Sequence, residues 1–142
     1  MTTQTYQEIE IPSSFPKAKQ VEEDIIAAAR KYGYSEEDVF ALQLSLEEAL
    51  SNAIRHGNQE DPSKSISLRY YISAAQIDIY VADEGTGFDP TGIPDPTSSE
   101  NLECPNGRGI LLMRAYMNLV EYNECGNVVH MIKLNRQAGK RA

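Results

Sequence analysis

A chain of 142 residues with 21 acidic and 13 basic side chains, and a formal net charge of −8, is sized for one domain with a single core over a sheet. That balance excludes direct nucleic-acid binding, which needs a basic face, and no apolar run approaches the ~18 residues of a membrane span. Residues 1–8 show no basic segment followed by an apolar run, so no signal peptide is expected, and Cys104 and Cys125 form neither a disulfide framework nor a metal spacing. The expectation is a cytoplasmic protein with reduced thiols that meets other proteins or a metal-bound anion.

Tyr6, Glu8 and Glu10 alternate with Gln7, Ile9 and Ile11, which predicts a short edge strand ended by Pro12. Ser13 or Ser14 then caps a helix that tolerates Pro16 in its first turn. Val21, Ile25, Ala28 and Tyr32 give its apolar stripe, and Gly33 stops it. Ser35-Glu-Glu-Asp38 reads as a cap and acidic first turn. In the helix that follows, Val39, Leu42, Leu46, Ala49, Leu50 and Ala53 fall on one side. Glu48 and Asn52 stand one turn apart away from that stripe, either as a solvated polar row or as a carboxylate and an amide aimed into a pocket.

A polar turn from Asn58 to Ser63 leads to two alternating runs, Ile66 to Ile72 and Ile77 to Val81, joined tightly through Ala74-Ala75-Gln76. This hairpin runs straight into Asp83-Glu-Gly-Thr-Gly87. Residues 89–106 have no period and hold four prolines, the pattern of a lid or binding loop. Gly107-Arg-Gly109 closes the loop and opens a helix over Ile110 to Met117. Leu119 to Tyr122 and Val128 to Leu134 make a last hairpin, and residues 137–142 a loose basic tail. The order predicts one α+β domain over residues 1–142: a mostly antiparallel sheet with helices on one face, the other face polar or a partner surface.

Several of these residues suit chemistry. An ionised carboxylate only accepts hydrogen bonds, so Asp83 on a pocket floor suits an exocyclic amine such as that of adenine, although the same segment serves any sharp turn. Gly85 and Gly87 allow close approach of backbone to a flat ring. Free amides at Gly107 and Gly109 would make a nest for phosphate oxygens, with Arg108 adding charge or pointing to water. Asn52 offers a hard oxygen to Mg²⁺, and Glu48 would lie near the same phosphates, placed to accept a hydroxyl proton. His56, at a helix end with no second histidine near it in sequence, reads as structural.

Taken in order, these motifs resemble the GHKL ATPase superfamily from about Ser35 to Leu134. Glu48-Ala-Leu-Ser-Asn52-Ala-Ile-Arg-His-Gly57 is similar to its N box, Val81 to Phe88 to the first glycine box, and Asn106 to Met113 to the second. The small size and short lid look most like the anti-sigma-factor serine kinases. The resemblance implies a two-layer α/β sandwich binding Mg·ATP, with Glu48 as base, Asn52 as magnesium ligand and Asp83 as adenine contact. Gly85 and Gly87 would shape the nucleotide pocket, and Gly107 and Gly109, with Arg108 between them, the phosphate nest. It also implies a STAS-domain antagonist as substrate, a sigma factor as a further partner, and a homodimer. One departure stands out: Pro105-Asn106 occupies the place where some members carry a basic lid residue. The alternative reading is a nucleotide-gated binding module of the same fold without useful catalysis.

Overall fold

The structure, a computed structural model, describes residues 6–85, 105–123 and 127–135. Its described elements are β1 (Gln7–Pro12), α1 (Phe15–Lys31), α2 (Glu36–Asn52), a π-helical turn (Ala53–Gly57), β2 (Ser65–Ile72), β3 (Gln76–Ala82), α3 (Pro105–Tyr116), β4 (Leu119–Tyr122) and β5 (Val128–Leu134). The strands form one antiparallel sheet in the order β1-β2-β3-β5-β4, with β1 on an edge. The expected α+β architecture is therefore present.

Strand alternation sends every second side chain toward the helices. Register then aligns Ile9, Leu68, Val81, Val129 and Tyr122 in one row across all five strands. Tyr70, Ile79, Met131 and Val120 make the next row. Against them lie Val21, Ile25, Ile26 and Ala29 of α1, with Val39, Leu42, Leu46, Ala49 and Leu50 of α2. Leu42 and Leu46 are wholly buried, a contribution of about 1.5–3 kcal/mol each.

Three local expectations need correction. Tyr32 is not in the α1 stripe: it is the exposed C-cap, followed by Gly33 at φ 86°, and that left-handed turn swings it out of helical phase while Ala29 fills the core. α3 begins at Pro105, because the fixed φ of proline suits the first helical position, so the last two residues of the expected 89–106 loop are helical. Residues 89–104, the tail from 137, Cys104 and Cys125 lie outside the described residues. Asp38 is not only a first-turn acid; it is 1 % exposed, facing Lys133 of β5 at 3.6 Å.

The sheet face turned from the helices is neither bare nor simply polar. Tyr80 and His130 stack at 4.1 Å, His130 Nε2 donates to Asp78 at 2.9 Å, and the Arg69 guanidinium lies 4.3 Å from the Tyr6 ring centre. Among the described residues, no helix is long and apolar enough to cross a membrane.

Candidate functional site

Ser35 caps α2 with its hydroxyl accepting from the Asp38 amide, and the apolar stripe fixes the helix's rotation on the sheet. Glu48 and Asn52 are thereby left half-buried on its flank. Directly after Asn52 the ladder widens into the π-helical turn, closed by the Asn58 amide on Ala53 O at 2.8 Å. Such turns cluster at functional sites. The chain leaves it through Gln59 and Glu60, both left-handed at φ 52° and 57°, a strain of about 1–2 kcal/mol each. His56 points to solvent.

Two features missed in the sequence carry this corner. Asn58, fully buried, donates to Ser13 Oγ (2.8 Å) and Ser65 O (3.0 Å) and accepts from the Glu84 amide (2.8 Å). It ties the start of α1, the start of β2 and the end of β3 together. Gly57 lies against Asp83 so closely that a Cβ there would fall within the Asp83 carboxylate, and a Cβ on Gly85 would fall on the Gly57 carbonyl. The missing side chain at Gly85 thus has a use beyond approach to a ring: two backbone segments cross there. Gly57 stood in the N-box-like segment but carried no assigned role; a polar turn alone gave no signal that Asn58 is buried.

Asp83 follows β3 on the helix-facing side. Its Oδ1 accepts from the Gly85 amide at 2.8 Å, and its own amide donates to Asn127 O at 2.9 Å. Asn127 Nδ2 reaches Gly85 O at 3.3 Å, so the β4–β5 connection clasps the turn from the other side. Burial raises the Asp83 carboxyl above its ordinary range, with the Gly85 amide and Lys64 opposing.

Tyr122 stands at the end of the cross-sheet row. Burial pushes its hydroxyl up to about 12; Asn52 and Arg114 oppose the rise, and the charges of Asp83 and Glu48 add to it. Glu48 and Asn52 from α2, Asp83 from the end of β3 and Arg114 from α3 thus all influence this one hydroxyl. The helix boundary places Gly107 and Gly109 within the first turns of α3 instead of ahead of it. Gly107 still lies among the amides with no intrahelical partner, whereas Gly109 falls within the ladder. Gly87 and the Arg108 side chain lie outside the described residues.

The donor set fits a Mg·nucleotide. Asn52 and Glu48 are hard oxygen donors, and among the described residues no three His, Cys, Asp or Glu side chains cluster to form a metal cage. The protein alone offers a partial shell, which suits an ion that keeps water and phosphate oxygens. The Gly57–Gly85 crossing packs backbone directly against Asp83, with no room for a Cβ at either glycine.

Comparison with known proteins agrees with this fold. Residues 12–133 match the family model described as the histidine kinase-like ATPase domain. The serine-protein kinase RsbW of Bacillus licheniformis is 32% identical over 117 residues, covering 77% of this chain and 73% of that one. The RsbW of Bacillus subtilis is 27% identical over 135 residues, covering 90% and 84%. A crystal structure of the RsbU and RsbW domains of a Mycobacterium tuberculosis protein superposes with a TM-score of 0.61 at 14% identity. It covers 92% of this chain, which spans about a third (32%) of that longer one and so shares its fold. The chain belongs to the histidine kinase-like ATPase family, within its RsbW-like branch of anti-sigma-factor serine kinases.

Proposed function

We propose that this protein is a Mg·ATP-dependent serine-protein kinase that works as an anti-sigma, partner-switching regulator, phosphorylating a serine of a STAS-domain antagonist. The observation that carries the reading is that Glu48 and Asn52 share a half-buried flank of α2 while the turn that follows them packs Gly57 directly against Asp83. Asp83 keeps acceptor capacity for the adenine amine while Gly85 occupies part of Oδ1. The Asn52 carboxamide oxygen holds the metal, and first-turn amides of α3, Gly107 among them, meet phosphate oxygens. Bound Mg²⁺ supplies charge neutralisation on the phosphates. Glu48, one turn from Asn52, accepts the serine proton as the phosphoryl group transfers, and orients that hydroxyl. Among the described residues, Arg114 acts on Tyr122 and Lys64 on Asp83, and both support a role in balancing charge where Pro105-Asn106 replaces a basic lid residue.

A protein substrate is favoured by the surface beside the site. Phe40, 55 % exposed, lies two turns before Glu48 on the same row of α2, with its ring 6.0 Å from that of exposed Tyr116. Sigma-factor binding and homodimerisation belong to the same reading as expectations of the family.

The test uses labelled ATP and a STAS-domain antagonist with wild-type protein and Glu48→Ala. The expected result is label transfer by the wild type, none by the variant, and similar ATP affinity in both. Transfer at the wild-type rate by Glu48→Ala removes that carboxylate from the mechanism. Nucleotide-dependent capture of the partner without transfer by the wild type would mark a binding module.

A further inference from the structure

Asn58 is wholly buried, and its partners leave no choice about which end of its carboxamide points where. The Ser65 carbonyl only accepts, so the atom 3.0 Å from it is Nδ2. The Glu84 amide only donates, so the atom 2.8 Å from it is Oδ1. Ser13 Oγ accepts from the same Nδ2 at 2.8 Å. The main chain of Asn58 is equally tied: its amide donates to Ala53 O, in the turn that follows Asn52, and its carbonyl accepts from the Asp61 amide.

We propose that Asn58 is a positioning residue for purine recognition: by holding the Glu84 amide, its Oδ1 fixes the direction of the Asp83 carboxylate and so selects for an exocyclic amine. The inference rests on the reading of Asp83 as the adenine contact. A side chain leaves the main chain in a direction set by the two peptide planes that flank its Cα. At Asp83 both planes are held from outside the turn. The Asp83 amide, in the plane before it, donates to Asn127 O at 2.9 Å. The Glu84 amide, in the plane after it, donates to Asn58. Within the turn, Asp83 Oδ1 accepts from the Gly85 amide at 2.8 Å, and among the described residues no hydrogen bond is made to Oδ2. Gly57, the residue before Asn58, packs its backbone against one side of that carboxylate. One oxygen is thus used inside the turn and the other is left for a donor. Without Asn58 Oδ1 the peptide between Asp83 and Glu84 is free to rotate, and the aim of the remaining oxygen goes with it. Asn58 itself, being buried, meets no nucleotide; it acts through Asp83.

Calorimetric titration with ATP and with purine riboside triphosphate, which differs by the missing 6-amino group, tests this on the intact protein. Wild type should favour ATP by about tenfold, the lower end for a hydrogen bond to a charged group. Asn58→Ala should cut that preference to about twofold or less by weakening ATP alone, leaving affinity for the amine-free nucleotide nearly unchanged. Asp83→Ala should erase the same preference, and adding Asn58→Ala to it should remove nothing more, because both act on one contact. Ser13→Ala controls for loosened packing. It removes a bond at the opposite end of the Asn58 carboxamide, so it should lower the urea midpoint and keep the preference for ATP. The proposal is overturned if Asn58→Ala retains the preference, if it weakens both nucleotides equally, or if Ser13→Ala loses the preference as fully. A wild type without preference overturns the reading of Asp83 first. A preference that vanishes in Asp83→Ala and survives in Asn58→Ala sinks the positioning role alone. Hydrogen exchange of the Glu84 amide in nucleotide-free wild-type protein needs no variant to fold. Protection of that amide supports its bond to Asn58, and exchange at the rate of an open loop overturns it.

Discussion

Helix α2 carries polar groups at both ends of one apolar stripe, and the two ends are built on opposite plans. At the start, Asp38 is 1 % exposed and faces Lys133 (7 % exposed), whose ammonium also donates to Tyr116 O at 3.0 Å. That contact joins the first turn of α2, the last turn of α3 and the end of β5. At the other end Glu48 and Asn52 are half-buried, no cation is paired with them in a salt bridge among the described residues, and the chain departs through a π-helical turn and two left-handed residues. One end is saturated by the chain's own atoms; the other keeps acceptor capacity beside the crossing of Gly57 and Gly85. The lesson is that burial separates a structural acid from a chemical one on the same helix. Sequence separation hides this, because Asp38 meets its lysine 95 positions later.

The sharpest way to break the saturated end is Lys133→Ala. It leaves Asp38 buried without its cation and frees the carbonyl at the end of α3. Removing one partner of a buried pair costs about 3–5 kcal/mol, so the urea midpoint should fall steeply while any nucleotide affinity of the remaining folded protein changes little. A loss below about 1 kcal/mol would place the pair with ordinary surface ion pairs and erase the contrast. Glu48→Ala is the counterpart at the open end: stability nearly unchanged, transfer lost.

Gly85→Ala ranks next, and it probes the wall beside the open end. The added methyl meets the Gly57 carbonyl, which is backbone and has no rotamer to change. Overpacking of this kind costs about 1–3 kcal/mol, and here the displaced atoms include Asp83 and the amide it binds. Nucleotide affinity should therefore fall more than stability does. Equal affinity in Gly85→Ala and wild type would show that this crossing does not shape the pocket.

The difference between the ends also explains what was legible beforehand. The strands themselves, the edge position of β1, the caps at Ser35 and Gly33, and the shared flank of Glu48 and Asn52 follow from periods of two and 3.6 and from local side-chain chemistry. Asn58, Gly57, Tyr122 and Asp38 take their places from contacts between distant segments, and no local pattern announces those. Asn58 sat in a run that reads as a turn, yet two of its three side-chain bonds reach Ser13 and Glu84, far away in the chain. Tyr122 read as one residue of a short strand; only the five-strand register aligns it with Val129 and Val81. Pro105 read as loop punctuation because proline both breaks helices and opens them.

Glu22 is intermediate between the two ends and gives the smallest effect. It lies on the seam between α1 and α2, 2 % exposed, where Lys19 donates to it at 3.0 Å and also reaches Glu47 at 3.6 Å. One cation, itself exposed, serves two carboxylates, so Glu22 is neither saturated like Asp38 nor open like Glu48. Burial raises its carboxyl above the ordinary value, Lys19 opposes, and Glu47 adds to the rise. The native state thus holds the proton more firmly than the unfolded chain does, and between the unfolded and folded values it binds more protons. Stability from this group is fully present below the unfolded value and is lost as pH rises through the folded one. Glu22→Gln keeps an acceptor for Lys19 and removes the titration. Urea melts at steps from pH 4 to 8 should show the variant gaining on wild type as pH rises through that window and levelling off above it, near-neutral pH favouring glutamine. A difference independent of pH, or a variant that loses ground as pH rises, would show that Lys19 compensates the buried carboxylate as completely as Lys133 compensates Asp38.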